Sequence, residues 1–361
     1  MATHFHALKI KDIRRETAEC VSIAFDIPDN LQEEFRFIPG QNITVRSTVE
    51  GEEVRRSYSI CSTPDEGELR VAVKRVLQGR FSGHAHTLKA GDTLELLPPS
   101  GKFFTPLNPL HKKHYLAFAA GSGITPLISI IKATLAMEPL SQFTLVYGNR
   151  NRNSIIFREE LEALKNKYID RFSLLHILSG ERTDNAINYG RIDAGKCSEL
   201  NGKLLQFTRF NEFFICGPAE MIFSVKAFLQ AQGVDENNIH FELFTSPGQK
   251  QALTASGPTA RQAADAGKTS EVHVKLDGTV FNFKLTYHGE SILDAALQQG
   301  VDLPYACKGG VCSTCRARLT EGQVEMDANY ALEKDELEAG FILTCQSHPR
   351  SGKITVDYDA K

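Results

Sequence analysis

Four of the eight cysteines fall within 39 residues near the C-terminus: Cys307, Cys312 and Cys315 read C-x4-C-x2-C, and Cys345 follows after 29 intervening residues. That is the spacing by which four thiolates hold a plant-type 2Fe–2S cluster, a centre that takes up one electron at a time. A loop wrapped around two irons must curl tightly, so Gly309 and Gly310 are predicted to adopt positive φ and to aim amides at the sulfurs. Small Ser313 and Thr314 avoid crowding between the ligands. A structural zinc site is the alternative, but it usually takes paired C-x2-C knuckles, and here the first spacing is four. Cys20, Cys61, Cys197 and Cys216 are scattered, as expected of reduced, buried thiols in a cytosolic protein.

A one-electron centre needs something to load it. Arg56-Ser57-Tyr58-Ser59 offers a guanidinium for a phosphate and a flat ring for stacking. Gly79-Arg80-Phe81-Ser82 opens a short helix whose first amides suit an anion, and Gly101-Lys102-Phe103 follows. Each alone reads equally well as ordinary structure: a tyrosine in an apolar strand is commonly core, and an arginine beside it a surface cation. Gly121-Ser122-Gly123-Ile124-Thr125-Pro126 follows an apolar strand and opens a helix, the context of a pyrophosphate loop, although Pro126 stands where the dinucleotide fingerprint has its third glycine. Cys216-Gly217-Pro218 repeats this strand-end turn, with a buried small side chain as the plain reading of Cys216. No acidic residue follows the second strand of this region. Tyr147-Gly148-Asn149-Arg150 ends instead in a cation, with Arg152 and Arg158 nearby, which favours NADPH over NADH.

These groups need three scaffolds. Before residue 108, short β-rich runs (6–10, 20–26, 42–47, 56–61, 68–76 and 93–97), punctuated by Gly and Pro, predict a six-stranded antiparallel barrel. From 109 to 246, strands at 115–120, 143–147, 172–178 and 212–216 alternate with helices at 126–136, 155–168 and 219–232, which predicts a parallel α/β sheet. The stretch 247–270 has no aromatic residue and a single Leu, so it reads as a flexible linker whose ends lie roughly 25 to 30 Å apart. In 271–361, a hairpin around Asp277-Gly278, a helix at 291–299 and strands near 315–319, 341–345 and 354–358 predict an α+β unit around the cysteine loop.

Chain length and charge narrow the function classes. With 361 residues, 42% apolar and 24% charged, the chain is expected to fold as two or three domains. A net charge of −3 supplies no overall positive field for nucleic acid or an anionic membrane. No apolar run approaches a membrane span, and the first 16 residues lack the pattern of a secretory signal. The protein is therefore expected in the cytoplasm. Residues 271–361 carry 14 acidic and 9 basic side chains, net −5, which leaves +2 for the rest. The acidic set at Glu333, Asp335, Glu336 and Glu338 reads either as a solvated helix face or as a docking surface for a basic partner or for the chain's own basic half.

Taken together and in this order, the three segments resemble the ferredoxin-NADP reductase superfamily, in the branch with a C-terminal plant-type ferredoxin domain. The resemblance implies an FAD-binding barrel (1–108), an NAD(P)-binding α/β domain (109–246) and a β-grasp ferredoxin domain (271–361). It assigns Arg56, Tyr58 and Ser59 to the flavin motif, with Ser59 near the flavin N5, and adds Val73, Lys74, Gly79, Arg80, Phe81 and Ser82 to the flavin contacts. Gly121, Ser122, Gly123, Thr125 and Pro126 become the nucleotide loop, with Arg150 beside it. Cys216, Gly217 and Pro218 form the turn at the nicotinamide, and Glu242 and Phe244 the end of the sheet. Phe244 covers the flavin face, where the family more often has Tyr. The stretch from Phe37 to Tyr58, the Gly79–Ser82 turn and the segment around Cys345 are similar to reductase components whose acceptor is a diiron oxygenase component. A redox sensor or carrier with an idle flavin half is the alternative from another class.

Overall fold

The computed structural model describes residues 4–244 and 267–360. The expected linker lies outside the described residues up to 266, and its last two positions, Thr269 and Ser270, already belong to a strand.

Strands β1 (His6–Thr17), β2 (Cys20–Asp26), β3 (Asn42–Val49), β4 (Glu52–Ser59), β5 (Leu69–Lys74) and β6 (Thr93–Leu96), with helix α1 (Arg80–His84) between the last two, make the first domain. Their order is β4-β3-β6-β1-β2-β5, all pairs antiparallel, and a bridge between Ile60 and Val71 closes the sheet into the expected barrel. Inward-facing Leu8, Ile23, Ile43, Val45, Val71 and Leu96 fill it, with Phe81 of α1 packed in. β1 runs seven residues past its expected end at Ile10. Residues 11–17 have no apolar alternation, yet their backbone ladder with β2 continues through two register shifts, because main-chain pairing does not require an apolar face.

The second domain contains β7 (His114–Ala120), α2 (Ile124–Met137), β8 (Gln142–Asn149), α3 (Arg158–Lys167), β9 (Phe172–Leu178), α4 (Ala194–Lys203), β10 (Glu212–Gly217), α5 (Ala219–Ala231) and β11 (Ile239–Leu243). Its sheet, β11-β10-β7-β8-β9, is wholly parallel. The order reverses between β7 and β10, which opens a crevice beyond their carboxyl ends. Helix α3 begins three residues later than its periodicity predicts. Ile155, Ile156 and Phe157 are all buried, and Phe157 sits at φ 58, so these residues enter the core before the helix turns. Helix α4, with two glycines and few apolar residues, escaped the periodicity, although its cap was visible: Asp193 accepts from the Lys196 amide at 2.8 Å. Barrel residues Cys20, Cys61, Ala72 and Phe103 share one core with this sheet.

The third domain comprises β12 (Thr269–Leu276), β13 (Thr279–Thr286), α6 (Ile292–Gln298), β14 (Arg316–Glu321), β15 (Val324–Met326), α7 (Lys334–Glu338), β16 (Phe341–Leu343), β17 (Ser347–Pro349) and β18 (Lys353–Asp357). The β12–β13 turn has Asp277 at φ 50 and Gly278 at φ 74, the paired left-handed geometry that a two-residue hairpin prefers. The sheet order β13-β12-β18-β14-β16 is mixed, with β12 parallel to β18, and α6 seals its core through Ile292, Leu293 and Ala296. Ser291 caps α6 by accepting from the Asp294 amide. The architecture is an antiparallel barrel, a parallel α/β sheet and an α+β β-grasp unit.

Candidate functional site

The crevice at the order reversal gathers the expected nucleotide residues. Gly121-Ser122-Gly123 turns from β7 into α2, beside Cys216-Gly217-Pro218 at the end of β10. The two turns touch so closely that a Cβ on Gly123 would lie 2.0 Å from the Cys216 carbonyl oxygen. Only glycine fits there. Tyr147 donates to the Gly121 carbonyl at 2.9 Å, Thr125 to the Ser122 carbonyl at 3.0 Å, and Pro126 occupies the first turn of α2, where its missing N–H costs no helical bond. At the end of β8 the Asn149 side-chain nitrogen is buried without a partner among the described residues, a donor left over for a nucleotide. Arg152 is held by Glu181 at 3.2 Å and Arg158 by Glu162 at 3.0 Å. Arg150 is exposed and has no acidic partner among the described residues.

On the barrel, alternation along β4 sends Arg56 and Tyr58 to one face and Arg55, Ser57 and Ser59 to the other. Tyr58 packs on Phe81 with ring centroids 5.5 Å apart, and burial pushes its phenol up. Ser82 accepts from the Val76 amide and donates to the Gly79 carbonyl, which holds the Gly79–Ser82 turn, while Arg80 pairs with Glu52. Lys74, Arg75, Gly79 and Arg80, with Thr48 and Glu50, line a cleft of about 1030 Å³. Three cations in a groove of this size fit the diphosphate half of a flavin dinucleotide. Phe81 is itself almost fully buried and Val73 wholly so, so both serve through backbone and packing.

At the crevice, barrel and sheet are joined by the Ser59 hydroxyl, which donates to Glu242 Oε2 at 2.9 Å. Glu242 lies opposite Cys216 in the β10–β11 register. Burial drives its carboxyl up to about 7, against the smaller opposing effect of the Ser59 hydrogen bond. The Cys216 thiol has no exposed surface and is also pushed up, first by burial and then by the Glu242 charge. Phe244, one residue past β11, is 36% exposed. A cleft of about 770 Å³, lined by Lys102, Phe103, Glu242, Cys312 and Tyr330, opens where all three domains meet.

The cysteine loop curls as expected, but not through both glycines. Gly310 has φ 75, whereas the other left-handed positions are Lys308 and Ser313, at φ 49 and 52. Gly309 instead donates its amide to Cys307 Sγ at 3.3 Å. Gln346 reaches Cys345 Sγ at 3.5 Å and the Lys308 carbonyl at 3.1 Å. The Cys307 thiol lies well below its ordinary range because Cys312 and Cys345, then the Gly309 and Val311 amides, hydrogen-bond to it. Cys345 in turn meets Cys315. All four are free thiols. Among the described residues no three His, Cys, Asp or Glu side chains form a cage for a single ion. Thiolates fed by backbone amides are the donor set of an iron–sulfur cluster.

Three groups on the second face of β3 and β4 escaped the sequence pattern. Asn42 accepts from Ser57 at 2.6 Å, Thr44 bonds Thr314 of the cysteine loop at 3.1 Å, and Arg55 reaches Asp302 at 2.5 Å. Their only signal was the two-residue strand period, which sets Arg55 opposite Arg56. The acidic set divides: Lys102 lies 3.3 Å from Asp335 and 3.5 Å from Glu336, a contact with the chain's own first domain.

Three family models match in chain order. They are an oxidoreductase FAD-binding domain over 7–105, an oxidoreductase NAD-binding domain over 118–227 and a 2Fe-2S iron-sulfur cluster binding domain over 274–350. A component of the 1,2-phenylacetyl-CoA epoxidase of Escherichia coli (strain K12) is 45% identical over 360 residues, 99% of each chain. The ferredoxin reductase component of the 3-ketosteroid-9-alpha-monooxygenase of Rhodococcus rhodochrous is 34% identical over 97% of this chain and 96% of its own. Among solved structures, phthalate dioxygenase reductase superposes with a TM-score of 0.56 over 98% of both chains at 24% identity, a likeness of fold.

Proposed function

We propose, proceeding from the fact that the chain belongs to the ferredoxin-NADP reductase superfamily in its branch with a C-terminal 2Fe–2S ferredoxin domain, that it is the reductase component for a diiron oxygenase that epoxidises phenylacetyl-CoA. The chain is an oxidoreductase that uses FAD, a pyridine nucleotide and a 2Fe–2S cluster. The observation that carries the substrate is its 45% identity, over nearly the whole of both chains, to a protein named for that reaction. When bound, the flavin exchanges a hydride with the nicotinamide and single electrons with the cluster.

In this reading the side chains position and polarise. Arg56 and the Lys74–Arg80 cleft would hold the flavin's phosphates, Tyr58 would stack on it, and Ser59, held by Glu242, would offer it a hydroxyl. The Gly121–Pro126 and Cys216–Pro218 turns would hold the nicotinamide nucleotide, Phe244 would cover the flavin, and Cys307, Cys312, Cys315 and Cys345 would ligate the cluster. The reaction takes place in the cytoplasm, where free thiols stay reduced. Among the described residues no helix is long and apolar enough to cross a membrane. Mixing the holoprotein with the epoxidase's oxygenase component, NADPH and phenylacetyl-CoA is expected to yield the epoxide. NADPH-dependent cytochrome c reduction without epoxide would assign the chain to another ring oxygenase. Absence of any nucleotide-dependent reduction would favour the sensor reading.

NADPH is the proposed donor because Arg150 is an exposed cation without an acidic partner among the described residues. A hydrogen bond to a charged group contributes about 1.5 to 3 kcal/mol. Arg150→Ala is therefore expected to lower kcat/KM for NADPH at least about tenfold and to leave NADH nearly unchanged. Steady-state kinetics with both nucleotides check this, and an NADH preference in the unmodified protein would reject the assignment.

A further inference from the structure

Arg55 has no place in the flavin or nucleotide site, yet its side chain is only 4% exposed. Its Nε donates to Glu53 at 2.8 Å on its own strand. The rest of the guanidinium crosses to the third domain: Nη2 donates to Asp302 Oδ1 at 2.5 Å, Nη1 to the Leu303 carbonyl at 3.2 Å, and the plane lies 4.4 Å from the Tyr305 ring centre. Arg46, fixed by Glu95, adds a second cation 3.4 Å from Asp302. Tyr305 precedes the cluster ligand Cys307 by two residues, and Thr314, bonded to Thr44 of the barrel, is next to Cys315. The seat of Arg55 thus leads into the Cys307 end of the three-cysteine loop, and the separate Thr44–Thr314 bond ties its Cys315 end to the same barrel face. On the other side, Arg55 is the neighbour of Arg56, whose Nη1 donates to the Arg55 carbonyl at 2.7 Å.

We infer that Arg55 is a positioning residue that docks the 2Fe–2S domain on the barrel in the pose from which the cluster is reduced, with Asp302, the Leu303 carbonyl and Tyr305 as its seat. The inference rests on the reading that electrons pass from flavin to cluster within one chain. NAD(P)H supplies a hydride, two electrons with one proton. The electrons leave the reduced flavin one at a time, each oxidising it and reducing the cluster, and the proton goes to solvent. A planar fork that meets a carboxylate, a carbonyl and a ring face fixes orientation as well as distance, which a lysine does not. The contact is also separable. Asp302 is 63% exposed and Glu53 stays with Arg55 when the domain leaves, so undocking strands no unpaired buried charge.

The test uses the holoprotein with Asp302→Lys, Arg55→Gln and the exchange pair Arg55→Glu with Asp302→Arg. Anaerobic stopped-flow spectroscopy follows flavin bleaching and cluster bleaching separately, and small-angle X-ray scattering follows the radius of gyration. Asp302→Lys is expected to leave flavin reduction by NADPH unchanged, to slow cluster reduction at least about tenfold and to enlarge the particle. The exchange pair is expected to recover part of both, and salt near about 0.5 M to mimic the variant in the unmodified protein. Cluster reduction and particle size that match the unmodified protein in Asp302→Lys would overturn the proposal. If Arg55→Gln does not retain flavin, the solvent-exposed Asp302 variant decides. An unmodified protein whose flavin bleaches but whose cluster never does would instead defeat the reading of intrachain transfer beneath it.

Discussion

A Cys345→Ser protein is expected to bind flavin and to bleach it with NADPH at the normal rate, while its iron and acid-labile sulfide fall to background and its support of an oxygenase disappears. Cys345 follows β16, is 5% exposed, and meets Cys307 and Cys315. A serine there keeps the volume but offers a hard, protonated oxygen where the irons need a soft, ionised sulfur. The three remaining thiols sit on one short loop, and without Cys345 nothing anchors the far side of the cluster. Because metal–ligand bonds count as folding energy, a second, lower unfolding transition for residues 267–360 is expected in the variant's calorimetric trace. Iron and sulfide analysis beside the visible spectrum gives the measurement. Full iron content in Cys345→Ser would remove this residue from the ligand set, and with it the reading of C-x4-C-x2-C…C as one site.

The cysteine loop was legible because ligation chemistry dictates its spacing, and so were the three scaffolds, whose periods of 2 and 3.6 follow from burial. What escaped is instructive in physical terms. The loop's curvature falls on Lys308 and Ser313 as well as on Gly310, since φ is set by where the chain must go and composition only lowers the cost of going there. The polar half of β1 and the glycine-bearing α4 form because tertiary pairing and a cap outweigh weak local preference. The Ser59–Glu242 bond spans 183 residues, and Arg55–Asp302 spans 247. No local pattern carries such a contact. The flavin motif could be recognised as a string, but only the fold shows that β4 uses both of its faces: Tyr58 packs on Phe81 of the barrel, while Arg55 and Ser59 reach the neighbouring domains.

Flavin reduction by NADPH is expected to slow as pH rises through about 7, and Glu242 is the group responsible. Below that value Glu242 is protonated and can donate to the Ser59 oxygen, which frees the Ser59 hydroxyl proton to point at the flavin N5 in the proposed arrangement and to favour hydride arrival there. Above it the carboxylate claims that proton for itself, and Ser59 faces the flavin as an acceptor only. Glu242→Gln keeps a donor toward Ser59 at every pH. It is therefore expected to hold the acid-side rate with a flat profile, whereas Ser59→Ala is expected to lose about 10²-fold below 7 and little more than the unmodified protein has already lost above it. Stability runs the same way. A carboxyl raised from 4.5 to about 7 binds more protons folded than unfolded between those values, so its contribution to stability is present at low pH and lost as pH rises through 7. Stopped-flow bleaching of the flavin's visible absorption, measured across roughly two units either side of that titration, reads the rate profile. An inflection near 7 that survives in Glu242→Gln would assign the titration to another group and detach Glu242 from the hydride step.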